Sequence, residues 1–207
     1  MRPTRIIIFA KAPQPGFAKT RLIPALGAEG AAELAKQMLF NTLHEVLAAD
    51  IGPVELCITP DINHAAWRGI QVPTGIEIST QGVGDLGARL ARASERALAN
   101  AESVLLIGTD CVEMSRTLLR EAAQALDEHE AIIHCTVDGG YALLGLRRFS
   151  PFLFHDIPWS TDAVASTTIS RIGQLRWSLR VGQMLHDVDE PEDMKYLATN
   201  WRFVDAA

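Results

Sequence analysis

Short apolar runs alternate along the chain with longer segments in which apolar residues recur at helical spacing. Residues 5–10 (RIIIFA), 54–59 (VELCIT) and 103–107 (SVLLI) are largely apolar and rich in β-branched side chains, which is typical of buried strands. Residues 29–49 and 85–100 repeat apolar side chains every three or four positions, which predicts helices with one buried face. Strands that alternate with helices predict an α/β fold with a mostly parallel sheet.

One turn signal adds an antiparallel pair. Asp138-Gly139-Gly140 separates the apolar runs 131–137 and 141–146, and Asp-Gly between two such runs predicts a β-hairpin. No Pro/Ser-rich linker, internal repeat or low-complexity tract divides the chain, so we predict one domain over residues 1–207. The remaining predicted elements are a short helix at 61–67, a strand at 75–79, a helix from an N-cap at Ser115 to Leu126, and helices at 161–172 and 191–199.

The composition excludes several classes of protein. The chain has 207 residues, of which 48% are hydrophobic and 21% charged, as in ordinary globular proteins. Its formal net charge of −6 argues against a general affinity for DNA or RNA. No apolar stretch is long enough to span a bilayer, and the 3 cysteines form no CxxC pair. We therefore expect a cytoplasmic protein without nucleic-acid or membrane partners, and the sequence predicts no particular oligomeric state.

Charge is distributed unevenly between the two ends of the chain. The residues that precede the first acidic side chain, Glu29, include the basic residues Arg2, Arg5, Lys11, Lys19 and Arg21. Carboxylates cluster near the other end, at Asp187, Asp189, Glu190, Glu192 and Asp193. These two regions are either the halves of one phosphate–metal site or two separate solvated surfaces.

The loop after the first strand is a candidate phosphate site, because ligands of open α/β sheets bind beyond the carboxyl ends of the strands. Its candidate residues are Lys11, Gly16, Lys19, Thr20 and Arg21. Gly16 allows close approach of the backbone to a ligand, and Lys19 and Arg21 can neutralise phosphate oxygens. The earlier glycine of a Walker A loop is missing, which excludes that motif. The alternative is a solvated loop whose prolines only turn the chain.

Three carboxylates are candidate ligands for a divalent metal. Asp110 directly follows the buried strand 103–107, and hard cations such as Mg²⁺ prefer oxygen ligands. Asp187 and Asp189 alternate along the chain, so in an extended segment they point to the same side. The alternatives are ordinary roles: Asp110 as a turn or N-cap residue, and the segment before Pro191 as a capped helix start.

Three further motifs are candidates for substrate binding. Gly84-Asp85 precedes a helix, where Asp85 is an N-cap or lies beside a base or ribose. The segment Asp138-Gly139-Gly140-Tyr141 is a turn, or it carries a functional carboxylate. Trp159 lines an acceptor pocket or fills the core, and Ser160 or Thr161 is expected to cap the next helix.

In sequence order, six segments resemble the motifs of one family: FAKAPQPGFAKTRL, GDLGARL, GTDC, DGGYALLGL, PWST and DVDEPEDM. It is a family of inferred glycosyltransferases with the GT-A, nucleotide-diphospho-sugar transferase fold. The family carries an uncharacterised-domain label and is sometimes tied to arsenosugar biosynthesis. The segment AKTRL also resembles the phosphate-binding loop of 2-phospholactate guanylyltransferases, and DVDEPEDM resembles the acidic C-terminal segment of related sugar nucleotidyltransferases.

The resemblance implies a Rossmann-like three-layer sandwich of the GT-A type, a nucleoside-diphosphate donor and a divalent metal, Mg²⁺ or Mn²⁺. It assigns two regions to donor binding: the phosphate loop with Lys11, Gly16, Lys19 and Arg21, and the nucleotide-side loop with Asp85. The metal-binding acid would be Asp110, and the C-terminal acidic site would contain Asp187 or Asp189. Residues 138–141 would lie on the acceptor side. The chain departs from the family at Val112, where a proline usually follows GxDC and where a GT-A DxD motif has its second acid.

These observations lead to a hypothesis about the reaction. We hypothesise a metal-dependent transferase that moves a sugar from a nucleotide-sugar donor to a small-molecule acceptor, with Asp110 and Asp138 as catalytic candidates. One alternative is a guanylyltransferase-like nucleotidyltransferase that releases pyrophosphate from an NTP. The other is a non-catalytic nucleotide-binding module, which fits the missing second acid.

Overall fold

The computed structural model describes residues 3–197, and these form one seven-stranded sheet flanked by helices. The strands lie in the order β3-β2-β1-β4-β6-β5-β7. Their bounds are β1 Thr4–Lys11, β2 Val54–Thr59, β3 Glu77–Thr80, β4 Ser103–Ile107, β5 Ala131–Cys135, β6 Tyr141–Leu146 and β7 Leu179–Val181.

The sheet is mostly parallel, with β6 as the exception. β1 pairs in parallel with β2 and β4, β2 with β3, and β5 with β7. β6 runs antiparallel to both β4 and β5, so the predicted hairpin is present between β5 and β6. β4 and β5 therefore end at the same edge of the sheet as β1.

Two helical layers cover the sheet. The helices are α1 Ile23–Ala49, α2 Leu86–Leu98, α3 Arg116–Glu128 and α4 Val164–Gln174. One apolar cluster joins α1 and α3 to the face of β1 that carries Ile6 and Ile8. A second cluster joins α2 and α4 to the opposite face, which carries Ile7. This alternation is the period-2 pattern of a strand buried on both faces. The predicted α/β three-layer sandwich is confirmed.

Of the helix N-caps predicted from the sequence, two are present in the structure and one is not. The predicted N-caps are confirmed: the Asp85 side chain accepts a hydrogen bond from the Ala88 amide (2.8 Å), and the Ser115 hydroxyl accepts one from the Leu118 amide (3.3 Å). The expected cap at Ser160 or Thr161 is wrong, because α4 begins at Val164. The Thr161 hydroxyl instead donates to the Pro158 carbonyl within the preceding turn (2.7 Å).

Short helices were predicted too long. The helix expected at 61–67 is only a 3₁₀ turn, Ala65–Trp67. The helix expected at 191–199 is a 3₁₀ segment, Pro191–Tyr196, and its last two predicted residues lie outside the described part of the chain. α1 begins earlier than expected, and Gly27 (φ 70°) breaks its first turns. Among residues 3–197, no helix has the length and apolar character needed to cross a membrane.

Candidate active site

A cleft of about 570 Å³ opens at the edge of the sheet where β1 and β4 end, a size that suits a small ligand. The loop after β1, the residues after β4 and the segment around Asp187 line it. It contains these predicted site residues: Lys11, Lys19, Thr20, Arg21, Asp110, Tyr141, Asp187 and Asp189. Residues from both charged regions of the sequence thus line one cleft, whereas Arg5 and Glu190 do not line it.

Lys19 joins the basic loop to the acidic segments. Its side chain is only 7% exposed, and its Nζ lies 2.9 Å from Asp189 Oδ1 and forms a second ion pair with Asp110. Burial alone would lower the pKa of Lys19, but the two carboxylates outweigh it and raise the pKa above its ordinary value. Lys19 is therefore a fixed positive charge at neutral pH. Its backbone is left-handed (φ 46°), a conformation that costs about 1 kcal/mol in a residue with a side chain.

Asp187 differs from Asp110 and Asp189 because its side chain has no direct contact with Lys19. Its side chain makes no hydrogen bond or close ion pair with any residue that the structure describes. Burial, followed by repulsion from Asp110, Asp189 and Asp138, raises the pKa of Asp187 to about 7. The backbone holds it there, since Asp187 bridges to Cys111 and the Val188 amide donates to the Asp110 carbonyl (2.9 Å). Half-buried negative charge of this kind favours binding of a cation.

The three acids do not form a ready-made metal centre. Within residues 3–197, no group of three or more His, Cys, Asp or Glu side chains is arranged to hold a metal ion. The ammonium group of Lys19 contacts two of the acids, Asp110 and Asp189. Mg²⁺ often binds through one or two carboxylates and completes its shell with substrate phosphates and water. Asp187, which has no direct contact with Lys19, fits a metal that arrives in this way.

The remaining basic residues of the loop are more exposed. Arg21 Nη1 lies 3.4 Å from Glu190 Oε1 and its side chain is 69% exposed, so it is free to turn towards an incoming anion. Lys11 Nζ donates to the Phe17 carbonyl (2.8 Å), which ties the two ends of the loop together. Gly16 does not line the cleft, and its φ of 78° shows that it serves the turn.

Several predicted residues lie outside the cleft lining and have local structural roles. Gly84 and Asp85 form the entry to α2, with Asp85 as its N-cap. Asp138 Oδ1 accepts hydrogen bonds from the Thr136 hydroxyl (2.5 Å) and the Gly140 amide (3.0 Å). Gly139 packs against the backbone of Asp162, so closely that a Cβ would lie 2.2 Å from its carbonyl oxygen.

Two buried polar groups on this side have no hydrogen-bond partner among the described residues: the Tyr141 hydroxyl and the Trp159 indole N–H. Tyr141 lines the cleft from β6, whereas Trp159 packs against Gly87 of α2 and does not line it. Burial strongly raises the pKa of Tyr141, so its hydroxyl stays protonated. A protonated hydroxyl at the cleft wall is a potential donor to a ligand oxygen.

The structure also brings in residues that the sequence did not single out. Gln81 and Arg89 line the cleft on the side of β2 and α2. Gln81 lies shortly before the Gly84-Asp85 motif, for which a base or ribose contact was expected. Nothing in the sequence indicated that the Gln81 side chain itself would line the cleft. Arg89 lies in the GDLGARL motif, but from sequence alone an arginine on a helix cannot be distinguished from an ordinary solvent-exposed charge.

A mostly parallel three-layer sandwich with a charged cleft at its carboxyl edge is the architecture of nucleotide-diphospho-sugar transferases, and this chain has that fold. A protein of Desulfovibrio desulfuricans G20, described provisionally as a nucleotide-diphospho-sugar transferase, is 27% identical with a TM-score of 0.89. The alignment covers 99% of this chain and 90% of that one. The chain belongs to the family described as "Uncharacterized protein conserved in bacteria" (DUF2064), whose profile matches residues 42–161. The family resemblance read from the motifs is therefore confirmed.

More distant structures share the fold. A manganese complex of Rv0371c from Mycobacterium tuberculosis H37Rv is 18% identical, with a TM-score of 0.57 over 95% of this chain and 98% of that one. 4-Diphosphocytidyl-2C-methyl-D-erythritol synthase from Anaerococcus prevotii DSM 20548 is 14% identical, with a TM-score of 0.60 over 94% of each chain. No curated protein sequence matches the chain significantly.

Proposed function

We propose that this protein is a transferase that uses a nucleotide-activated donor, and that it transfers a sugar from a nucleoside-diphosphate sugar to a small acceptor. One observation carries the proposal: the cleft combines four cationic side chains with three carboxylates, in a protein whose net charge is −6. The cations are Lys11, Lys19, Arg21 and Arg89. The 27% identical neighbour described as a nucleotide-diphospho-sugar transferase supports the same class of reaction.

The basic loop would bind the diphosphate. Arg21 is exposed and mobile enough to exchange Glu190 for a phosphate, and its planar fork suits two phosphate oxygens. Lys19 is fixed by Asp110 and Asp189, so it would contribute a positive charge that needs no reorganisation when the ligand arrives. Both residues would then stabilise the negative charge that develops on the departing diphosphate.

Asp110 and Asp187 would hold a divalent metal together with the donor phosphates. When bound, Mg²⁺ or Mn²⁺ supplies positive charge to the leaving group. Asp187 is suited to this role because burial and the neighbouring carboxylates disfavour its charged form until a cation binds, and Asp110 because its side chain is 48% exposed despite its contact with Lys19. The acceptor would enter from the side of Tyr141, whose hydroxyl is protonated and lacks a partner among residues 3–197.

The reaction is a displacement at the anomeric carbon. The acceptor hydroxyl oxygen forms a bond to that carbon, the bond from the carbon to the diphosphate oxygen breaks, and the nucleoside diphosphate leaves with the electron pair. The hydroxyl proton passes to solvent, since Asp138, the base candidate predicted from sequence, does not line the cleft.

The test is a product assay on the whole protein with Mn²⁺. Nucleotide sugars are incubated with a panel of small acceptors, and NTPs with phosphorylated acceptors, and both free nucleoside diphosphate and pyrophosphate are measured. We expect acceptor-dependent release of nucleoside diphosphate. Release of pyrophosphate from an NTP would instead make the protein a nucleotidyltransferase. Nucleotide binding without turnover of either donor class would favour a non-catalytic module.

A thermal-shift series supports the assay. Nucleoside diphosphates with Mn²⁺ should raise the Tm of the wild type, and Asp110→Ala should remove the metal-dependent part of the shift. Asp127→Ala is the matched control, since Asp127 is an exposed acid on α3, away from the cleft. If neither nucleotides nor nucleotide sugars shift the Tm of the wild type, the proposed function is wrong.

A further inference from the structure

Arg89 is held in the cleft wall by hydrogen bonds to groups that are themselves fixed. Its Nε donates to the Gly84 carbonyl (3.0 Å), and its Nη1 donates to Gln81 Oε1 (3.1 Å). Gln81 is buried, and its Nε2 donates to the backbone carbonyls of Ala10 and Cys57, at 3.1 Å each. A long, flexible side chain is thus immobilised, at a cost in entropy that surface arginines do not incur.

The immobilised guanidinium keeps unused donors. A guanidinium carries five N–H groups, and the bonds to Gly84 and Gln81 use two of them. The other three have no partner among the described residues, and Arg89 lines the cleft. Arg92, on the same helix, differs: its guanidinium donates to the Gln81 and Val83 carbonyls, and it does not line the cleft.

The position of Arg89 in the cleft indicates which part of a nucleotide it would meet. The acids that line the cleft, Asp110, Asp187 and Asp189, all lie on the side of β4, together with Lys19. The side formed by β2 and α2 has no acid in its lining and includes the apolar side chains of Leu86 and Leu90 beside Gln81 and Arg89. A diphosphate and its metal belong on the charged side. The apolar side suits the flat faces of a nucleobase, whose polar edge then meets Arg89.

We propose that Arg89 selects the base of the donor nucleotide, and that it favours bases with two adjacent hydrogen-bond acceptors. Guanine offers N7 and O6 in this arrangement, and cytosine offers N3 and O2. Uracil has no such pair because a donor lies between its two acceptors, and adenine has none because a donor replaces the acceptor next to N7. A planar fork of parallel N–H groups matches two adjacent acceptors at once. This inference rests on the proposed function, since it concerns the base of the same donor.

The experiment is calorimetric titration of the whole protein, with Mn²⁺ present, by GDP, CDP, ADP and UDP. On the wild type, GDP or CDP should bind at least about tenfold more tightly than ADP and UDP, the range expected for one bidentate contact. Comparison of GDP with CDP then identifies which of the two bases is used. In Arg89→Met, the four affinities should converge to within about threefold, because the donors are gone while most of the side-chain volume remains.

A matched pair of substitutions separates base selection from loop stability. Arg89→Lys keeps the charge but not the fork, so the preference should largely disappear while the Tm stays close to that of the wild type. Arg92→Lys changes the same side chain on the same helix and should retain the preference. Tighter binding of ADP or UDP to the wild type, or an unchanged preference in Arg89→Lys, would overturn the inference and leave the proposed function standing. If none of the four nucleotides binds, the proposed function fails, and the inference about Arg89 fails with it.

Discussion

Asp110 and Asp138 stand in comparable places and have different surroundings. Each follows a strand of the same sheet, at the same edge, and each was predicted from sequence as a catalytic candidate. Asp110 lines the cleft and pairs with the fixed ammonium group of Lys19. Asp138 does not line it, and its Oδ1 accepts hydrogen bonds from the Thr136 hydroxyl and the Gly140 amide of its own turn.

The difference shows that the hydrogen-bonding needs of the neighbouring backbone decide what a carboxylate side chain does. The hairpin turn after β5 leaves an amide that needs an acceptor, and a neighbouring aspartate satisfies it. After β4, it is the carbonyl of Asp110 that accepts a backbone hydrogen bond, from the Val188 amide. The side chain of Asp110 pairs with the ammonium group of Lys19 instead.

The largest expected effect is the contrast in turnover between Asp110→Asn and Asp138→Asn. Loss of the Asp110 charge should lower kcat/KM at least about hundredfold, because it removes the carboxylate proposed to hold the metal. Asp138→Asn keeps the oxygen that accepts both turn hydrogen bonds, so its kcat/KM should stay within about fivefold of the wild type. Steady-state kinetics at saturating Mn²⁺ measures both. A comparable collapse in Asp138→Asn would make Asp138 the base and remove the contrast.

Substitution of Lys19 should lower the free energy of unfolding, and a bound metal should restore part of the loss. In Lys19→Met, Asp110 and Asp189 lose their counterion, which should cost about 2 kcal/mol of unfolding free energy in metal-free buffer. Mn²⁺ should restore part of that loss, because a cation can then occupy the place of the ammonium group. Chemical denaturation with and without Mn²⁺ measures this. Lys36→Met, at an exposed i,i+3 pair with Glu33, is the control and should respond to neither change.

Asp187 should make stability depend on pH. Its folded pKa, about 7, lies above the unfolded value, so its charge costs nothing below about pH 4 and the full amount above pH 7. Asp187→Asn should therefore raise the Tm at pH 8 by roughly 3–6 °C in EDTA, and change it little at pH 4. Thermal unfolding at the two pH values measures the difference. An equal gain at both would show that the charge of Asp187 is not the cause.

The smallest expected effect belongs to the turn itself. Asp138→Ala removes the acceptor of two hydrogen bonds and should cost about 1 kcal/mol, or roughly 3 °C in Tm. Activity at 25 °C should not change beyond the fraction unfolded. Asp127→Ala is again the control. A loss of activity without a loss of Tm would contradict a purely structural role for Asp138.

The strands were predictable because their pattern is local. The bounds of β2 and β4 match the predicted 54–59 and 103–107, since both strands are buried and show almost no polar interruption. The N-caps at Asp85 and Ser115 were predictable for the same reason, because a cap and its amide are three residues apart.

The details of the site depend on contacts between residues far apart in sequence, so local sequence patterns could not predict them. The sequence identified Lys19, Asp110 and Asp189 as charged candidates but not their ion pairs, one of which joins residues 170 positions apart. The sequence predicted a metal shared by Asp110, Asp187 and Asp189, and it gave no indication that the ammonium group of Lys19 contacts two of them. Arg89 was missed because only the tertiary structure turns it towards the cleft.

The contact between Lys19 and Asp189 also has a consequence for the order of synthesis. The ribosome delivers the basic loop first, and its partner Asp189 only near the end of the described chain. The first strand and its loop can therefore fold against β2 and β4 long before the acidic segment exists. A chain terminated before the acidic segment would keep Lys11, Lys19 and Arg21 but only one of the acids that line the cleft, Asp110. The balance of charge in the cleft is therefore set only once the segment that contains Asp187 and Asp189 has been synthesised.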